Sequence, residues 1–267
     1  MASSASATGE RQMEVGRVFE RAIAAVKTNP AVILGLALVV GAIPNVIITY
    51  LFAQSGLVSP EAMVSGAVSP AGFFAAVLFS ALFSMVIGAL VQGALTRAAV
   101  SAAEGRKVSF GDSLATGLRV ILPLIGLAII SGAGVALGML LLIVPGVILA
   151  LMWSVAVPVL VTERRGVFES LGRSNELTRG AKGRILGIFV VVFIAYGIAS
   201  MVMGVVGLAG FNAGTAQQGL TVANLLGSVV LGTLLNAAWG TIQPALYVEL
   251  RQWKEGTSVE ALEDVFA

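Results

Sequence analysis

Long apolar runs alternate with short polar segments along the chain. The runs cover about residues 31–53, 72–95, 120–143, 145–162, 185–208 and 220–248. Each has roughly 18 or more residues. At about 1.5 Å per residue, an α-helix of that length crosses about 30 Å of hydrocarbon. The pattern predicts an all-α polytopic membrane protein with six transmembrane helices. Ahead of the first run, Val15, Val18, Phe19, Ala22, Ile23 and Val26 recur at three- and four-residue spacing, with Arg17, Glu20, Arg21 and Lys27 between them. That is the period of an amphipathic helix, expected to lie in the membrane interface. The second run continues as a polar helix to Glu104. The third and fourth runs meet at Leu141-Leu142-Ile143-Val144-Pro145-Gly146, which has no polar side chain. Pro-Gly reads as the turn there.

The organisation expected is a cytoplasmic arm over residues 1–28, a six-span domain over 29–252 and a cytoplasmic tail over 253–267. The first nine residues are rich in Ser and Ala and read as a disordered start rather than a signal peptide, since no apolar core follows closely. A weak repeat runs through the polar segments. Val18-Phe19-Glu20-Arg21, Ser109-Phe110-Gly111-Asp112 and Val167-Phe168-Glu169-Ser170 each precede a pair of spans, at unequal spacing.

Composition narrows the chemistry. Of the 267 residues 57% are hydrophobic and only 11% charged, against about a quarter charged in soluble domains. There is no Cys and no His, so the chain offers no thiolate nucleophile, imidazole base or His/Cys zinc site. No P-loop is present, and no Lys lies deep in a span to serve as a base. The expectation is a non-enzymatic protein with no cofactor. The net charge of +2 is too small to suggest nucleic acid.

The position of the charges says more than their sum. All 16 Lys and Arg fall in the N-terminal segment, the second-to-third and fourth-to-fifth connections and the tail, or at span ends facing them. The positive-inside rule then places both termini in the cytoplasm, as an even number of spans requires. A bacterial inner (cytoplasmic) membrane is the expected location.

Several spans carry candidate polar or small-residue faces. Ser80, Ser84 and Gly88, Gly134 and Gly138, and Ser200 and Gly204 are rows of small residues that let helices approach closely. They read as intrachain packing or as a surface for a second copy. The sixth span is the most polar, with Asn224, Ser228, Asn236 and Gln243 along one ridge. These residues either hold helices together by hydrogen bonds or line a polar path for a small solute or lipid. Pro44, Pro158 and Pro244 interrupt three spans and predict kinks. No ionisable residue lies near a span's centre, which argues against an ion-coupled pump.

The fourth-to-fifth connection is the most densely charged. It holds Arg164, Arg165, Arg173, Arg179, Lys182 and Arg184 against Glu163, Glu169 and Glu176. Helical spacing pairs Glu169 and Glu176 with Arg173 and Arg179. Val167, Phe168 and Leu171 give the segment an apolar face. Arg164, Arg165, Lys182 and Arg184 are left to contact anionic lipid headgroups. Alternatively, these charges only set topology. The partners expected are membrane lipids, with a membrane-protein partner or a homo-oligomer left open.

Part of this region has a familiar form. Leu171-Gly172-Arg173-Ser174-Asn175-Glu176-Leu177-Thr178-Arg179-Gly180, followed by Gly183-Arg184-Ile185-Leu186-Gly187-Ile188, resembles the "RSWELTKG…WRIFGI" signature of the bacterial glycerophosphoryl diester phosphodiesterase membrane domain family, to which the YciC-like inner-membrane proteins look related. Val144-Pro145-Gly146-Val147-Ile148-Leu149-Ala150 is similar to the family's start of the fourth span, and Trp153-Ser154-Val155-Ala156-Val157-Pro158 to its "WSLAVP". Ala245-Leu246-Tyr247-Val248-Glu249-Leu250-Arg251 with Lys254-Glu255-Gly256 is similar to its "YYDLR…KEG" tail. Asn175 stands where the family tends to have Trp. The resemblance implies a stand-alone inner-membrane protein associated with lipid or the envelope, without the catalytic barrel that fused members carry.

Overall fold

The computed structural model describes residues 13–57, 62, 64–209 and 222–256. The Ser/Ala-rich start, the end of the tail and the beginning of the sixth apolar run lie outside the described residues. Among the described residues there is no strand. Helix α1 is Val15–Thr28. The first span joins α2 (Pro30–Gly35), a π-helical stretch (Leu36–Ala42) and α3 (Ile43–Ser55). The second span is α4 (Pro70–Ala103), followed by the short α5 (Phe110–Arg119). The third is α6 (Ile121–Leu141), and the fourth is α7 (Ile143–Met152) with α8 (Ala156–Glu163). Helix α9 (Val167–Thr178) leads to the fifth span, α10 (Lys182–Ala209), and the sixth is α11 (Val222–Glu255). Among the described residues six helices are thus long and apolar enough to cross a membrane, and the chain is a multi-pass membrane protein.

Proline accounts for the irregular spans. In an α-helix Pro44 would remove one donor and press its ring on the carbonyl four residues back. The turn before it widens instead, and the Ile43 N–H reaches back five residues to the Leu38 carbonyl. Asn45 Nδ2 donates to the Gly41 carbonyl at 3.0 Å inside this wider stretch. The fourth span goes further and breaks at Trp153–Val155, ahead of Pro158. Polar backbone exposed at such a break has no water to bond in hydrocarbon. Helix α9 supplies the partners. Ser174 Oγ donates to the Met152 carbonyl at 2.7 Å and accepts from the Val155 N–H at 3.3 Å. Thr178 Oγ1 lies 3.3 Å from the same carbonyl.

This corrects two expectations for the fourth-to-fifth connection. The segment is a helix, but its buried face is Ser170, Leu171, Ser174, Leu177 and Thr178, while Phe168 is 74% exposed. Packing onto the break outweighs the small apolar patch. Glu169 does not pair with Arg173. Its carboxylate accepts from the Gly166 N–H at 3.3 Å and caps the helix.

Helix α1 also differs from a helix lying only on lipid. Its Val18 and Ala22 are buried in one core with Ile185 and Ile188 of α10 and Leu246, Tyr247 and Leu250 of α11. A second core joins Ile33 and Leu36 of the first span to Val91, Leu95 and Ala98 of α4. A third joins Leu124 and Leu127 of α6 to Ala156 and Leu160 of α8.

The hairpin between the third and fourth spans turns at Leu142, which is extended, rather than at Pro145-Gly146. Those two residues sit in the first turn of α7, where proline is tolerated. Glycine is needed there because a Cβ at Gly146 would lie 2.6 Å from the Met139 nitrogen. A Cβ at Gly138 would lie 2.9 Å from Gly146 Cα, and one at Gly134 would lie 2.6 Å from the Trp153 ring. This row of small residues therefore packs within the chain. The hairpin tip, from Leu140 to Val144, is exposed and wholly apolar.

Replacing Ser174 by Ala should lower thermal stability in detergent by about 1–3 kcal/mol, because it strands the Val155 N–H and weakens the hold on the Met152 carbonyl. Ser170→Ala, on the same face but with no hydrogen-bond partner among the described residues, should cost clearly less. Equal melting shifts for the two variants would remove the role given to Ser174.

Candidate functional site: a cationic groove

The basic connections converge on one end of the bundle, tied there by buried or half-buried acids. Glu249 of α11 is 3% exposed. Arg17 and Arg21 of α1 reach it at 3.1 and 3.2 Å, so α1 is held to α11 by charge as well as by its apolar face. Glu163, at the end of α8, accepts from Tyr247 Oη at 3.0 Å and from Arg165 Nε at 2.7 Å, with Arg173 Nε at 3.4 Å. Arg173 also pairs with Glu255, which pairs in turn with Arg251 at 2.9 Å. One network therefore links the ends of the fourth and sixth spans through α9. An acid with several charge-assisted partners is far better compensated than one left alone in so dry a place.

Between these helices and the α4–α5 corner lies an open groove of about 1110 Å³. The corner is tight because both crossing helices carry glycine. A Cβ at Gly117 of α5 would lie 2.6 Å from the Leu90 carbonyl oxygen of α4. One wall of the groove carries Arg97, Lys107 and Arg119 from this corner. The other carries Arg164 and Arg165 from the end of α8 and Arg251 from α11. The floor includes Val120, Pro123, Leu160 and Val161. Six cations face three carboxylates, Glu104, Asp112 and Glu255, a surplus of three positive charges.

The carboxylates are already engaged. Glu104 pairs with Arg106, Glu255 with Arg173 and Arg251, and Asp112 accepts the Ser109 hydroxyl at 2.7 Å while Ser109 caps α5. By contrast, Arg97, Lys107, Arg119 and Arg164 form no ion pair among the described residues. Arg164 has a φ of +52°, a left-handed conformation rare outside glycine. It ends α8 and leads directly into the groove's second wall. Chemically, the groove offers convergent guanidinium groups above an apolar floor, which suits an anionic group attached to something apolar.

The four cations expected to contact lipid are not all brought together. Arg164 and Arg165 line the groove, Arg165 with one bond to Glu163. Lys182 and Arg184 sit at the start of α10 and are not part of its lining. Arg173, expected to be structural, is held by three acids. Arg179, given the same role, is exposed and makes no ion pair among the described residues. Arg97, Lys107, Arg119 and Arg251 were read from sequence only as topology signals.

The polar ridge of the sixth span divides in the same way. The side chain of Asn224 lies outside what is described. Ser228 is exposed. Four-residue steps rotate the ridge by about 40° each around a helix of 3.6 residues per turn, so its members cannot all face one neighbour. Asn236 Nδ2 donates to its own helix at Gly232 O, 2.8 Å away. It also packs against Gly41, where a Cβ would meet its amide nitrogen at 3.2 Å. Gln243 Oε1 accepts from Gln92 Nε2 at 2.6 Å, and Ser84 donates to Asn45 Oδ1 at 3.0 Å. These bonds join the sixth span to the second, and the second to the first.

Gln243→Leu should lower stability by roughly 0.6–1.7 kcal/mol, the range for interhelical hydrogen bonds in membranes. Adding Gln92→Leu should recover part of the loss, because the stranded amide is removed as well. A double variant no more stable than Gln243→Leu would mean that the pair is not coupled in this way.

Compared with protein-family models, curated proteins and solved structures, the chain gives no match.

Proposed function

We propose that this multi-pass protein is a non-enzymatic component of the bacterial inner membrane that holds anionic lipid headgroups in its cationic groove, with both termini in the cytoplasm. The observation that carries the reading is the convergence of six cations, four of them without an ion pair among the described residues, over an apolar floor at the basic end of the bundle. Anionic phosphate is the abundant negative group at that depth of a membrane, and each Lys or Arg near an anionic surface contributes about 1 kcal/mol. The lack of His and Cys, the charge distribution and the resemblance described above point the same way. A solute path along the sixth span is less well supported, since Asn236 and Gln243 are committed to Gly232 and Gln92.

The chain has no native Cys, so single substitutions report sidedness. Ser109→Cys should react with an impermeant thiol reagent only after the cell is opened, and Ser65→Cys should react from outside. The reverse pattern overturns the orientation. For binding, Arg97→Gln, Arg119→Gln, Arg164→Gln and Arg165→Gln combined should lower retention of phosphatidylglycerol and cardiolipin relative to phosphatidylethanolamine by about tenfold or more, given about 1 kcal/mol per charge. Native mass spectrometry from mild detergent reads this directly. The same measurement on Lys182→Gln with Arg184→Gln should change little. Unchanged selectivity in the correctly oriented fourfold variant would end the lipid-binding reading.

A further inference from the structure

We infer that the groove is built for two phosphates carried by one ligand, one seated on each wall, as in the headgroup of a diphosphatidyl lipid. The inference rests on the anionic-lipid reading and deepens it from a charge preference to a ligand class. Three features carry it: the division of the cations, the charge balance and the size.

The cations stand in two groups on different elements. Arg97, Lys107 and Arg119 belong to the α4–α5 corner, and Arg164, Arg165 and Arg251 to the facing ends of α8 and α11. Each wall offers two or more guanidinium forks, the side chain that matches phosphate oxygens in bidentate fashion. A single phosphate on the second wall leaves Arg97, Lys107 and Arg119 without an ion pair, and one on the first leaves Arg164 so, since Arg165 and Arg251 already pair with Glu163 and Glu255. The surplus of three positive charges would fall only to two with one phosphodiester bound, but to one with two bound. Like charges left facing each other beside hydrocarbon repel more strongly than in water.

Size agrees. At about 1110 Å³ the groove is at or above the range of roughly 300–1,000 Å³ that holds whole drug-sized ligands, far more than a single phosphate needs. Each wall is also fixed by contacts of its own. The first is fixed by the Gly117 contact with Leu90. The second is fixed by the Glu163 and Glu255 ion pairs. A ligand that engages both walls must therefore span the groove. The floor of Val120, Pro123, Leu160 and Val161 favours a ligand with an apolar part, hence a lipid over a free diphosphate.

The test uses the full chain in nanodiscs containing phosphatidylethanolamine with either cardiolipin or phosphatidylglycerol at equal phosphate, with retained lipid read by native mass spectrometry. The wild type should retain cardiolipin over phosphatidylglycerol by at least about fivefold, the scale of one further basic contact at a leaflet. Arg97→Gln with Arg119→Gln, and separately Arg164→Gln with Arg165→Gln, should each bring that ratio close to one while some preference over phosphatidylethanolamine persists. The matching Arg→Lys pairs keep the charge and should keep most of the selectivity, which separates loss of binding from loss of fold. If the wild type holds both anionic lipids equally, or if only one wall affects the ratio, the two-phosphate site is refuted and the anionic-lipid reading stands. If no anionic lipid is preferred at all, both fall. Inorganic pyrophosphate added to the cardiolipin-loaded protein distinguishes the source. Failure to displace the lipid supports a lipid ligand, and displacement supports the paired-phosphate site with a soluble diphosphate as its occupant.

Discussion

Backbone groups inside a bilayer must find their partners within the protein, and the shape of this molecule follows from how it meets that demand at Pro158. The fourth span breaks over Trp153–Val155. Ser174 and Thr178 of α9 satisfy the Met152 carbonyl, and Ser174 also takes the Val155 N–H. Drawing α9 onto the break brings Arg173 within reach of Glu163 and Glu255. That network fixes the ends of the fourth and sixth spans, and with them the wall that presents Arg164, Arg165 and Arg251. A repair of main-chain hydrogen bonding is thus also what shapes the charged end.

The helical architecture was legible because its signals are long and additive. Each apolar run exceeds the length needed to cross hydrocarbon, and the amphipathic period before the first run locates α1 directly. Short-range features were harder. Pro145-Gly146 has the composition of a turn, yet Gly146 is there to let Met139 approach, and the chain turns ahead of both, at Leu142. Helix α9 was legible as a helix but not by its buried face. Ser170, Ser174 and Thr178 recur every four residues, and a row of hydroxyls reads as solvent-facing until a broken span is known to need donors.

The cationic end was half legible. Arg164 and Arg165 stood out because they are adjacent and close a span. Arg97 lies inside α4 and Arg119 ends α5, and nothing local marks them as partners. Their meeting depends on Gly93 and Gly117, which let α5 fold back against α4. A glycine on each of two successive helices is the one sequence signal that could have suggested the close crossing. The amides of the sixth span illustrate the converse. They share a spacing but, through helical rotation, not a role: Gln243 bonds the second span, Asn236 its own helix, and Ser228 is exposed.

The apolar tip at Leu140–Val144 has a consequence for how the chain enters the membrane. A helical hairpin whose bend holds no charge and no polar side chain can slide into the bilayer from one side as a unit, with no hydrated segment dragged through hydrocarbon. The Ile121–Glu163 region is therefore suited to insert as a unit. Arg119 just before it and Arg164 and Arg165 just after it are costly to carry through hydrocarbon, so a hairpin inserted in this way would keep both of its feet at the surface it entered from.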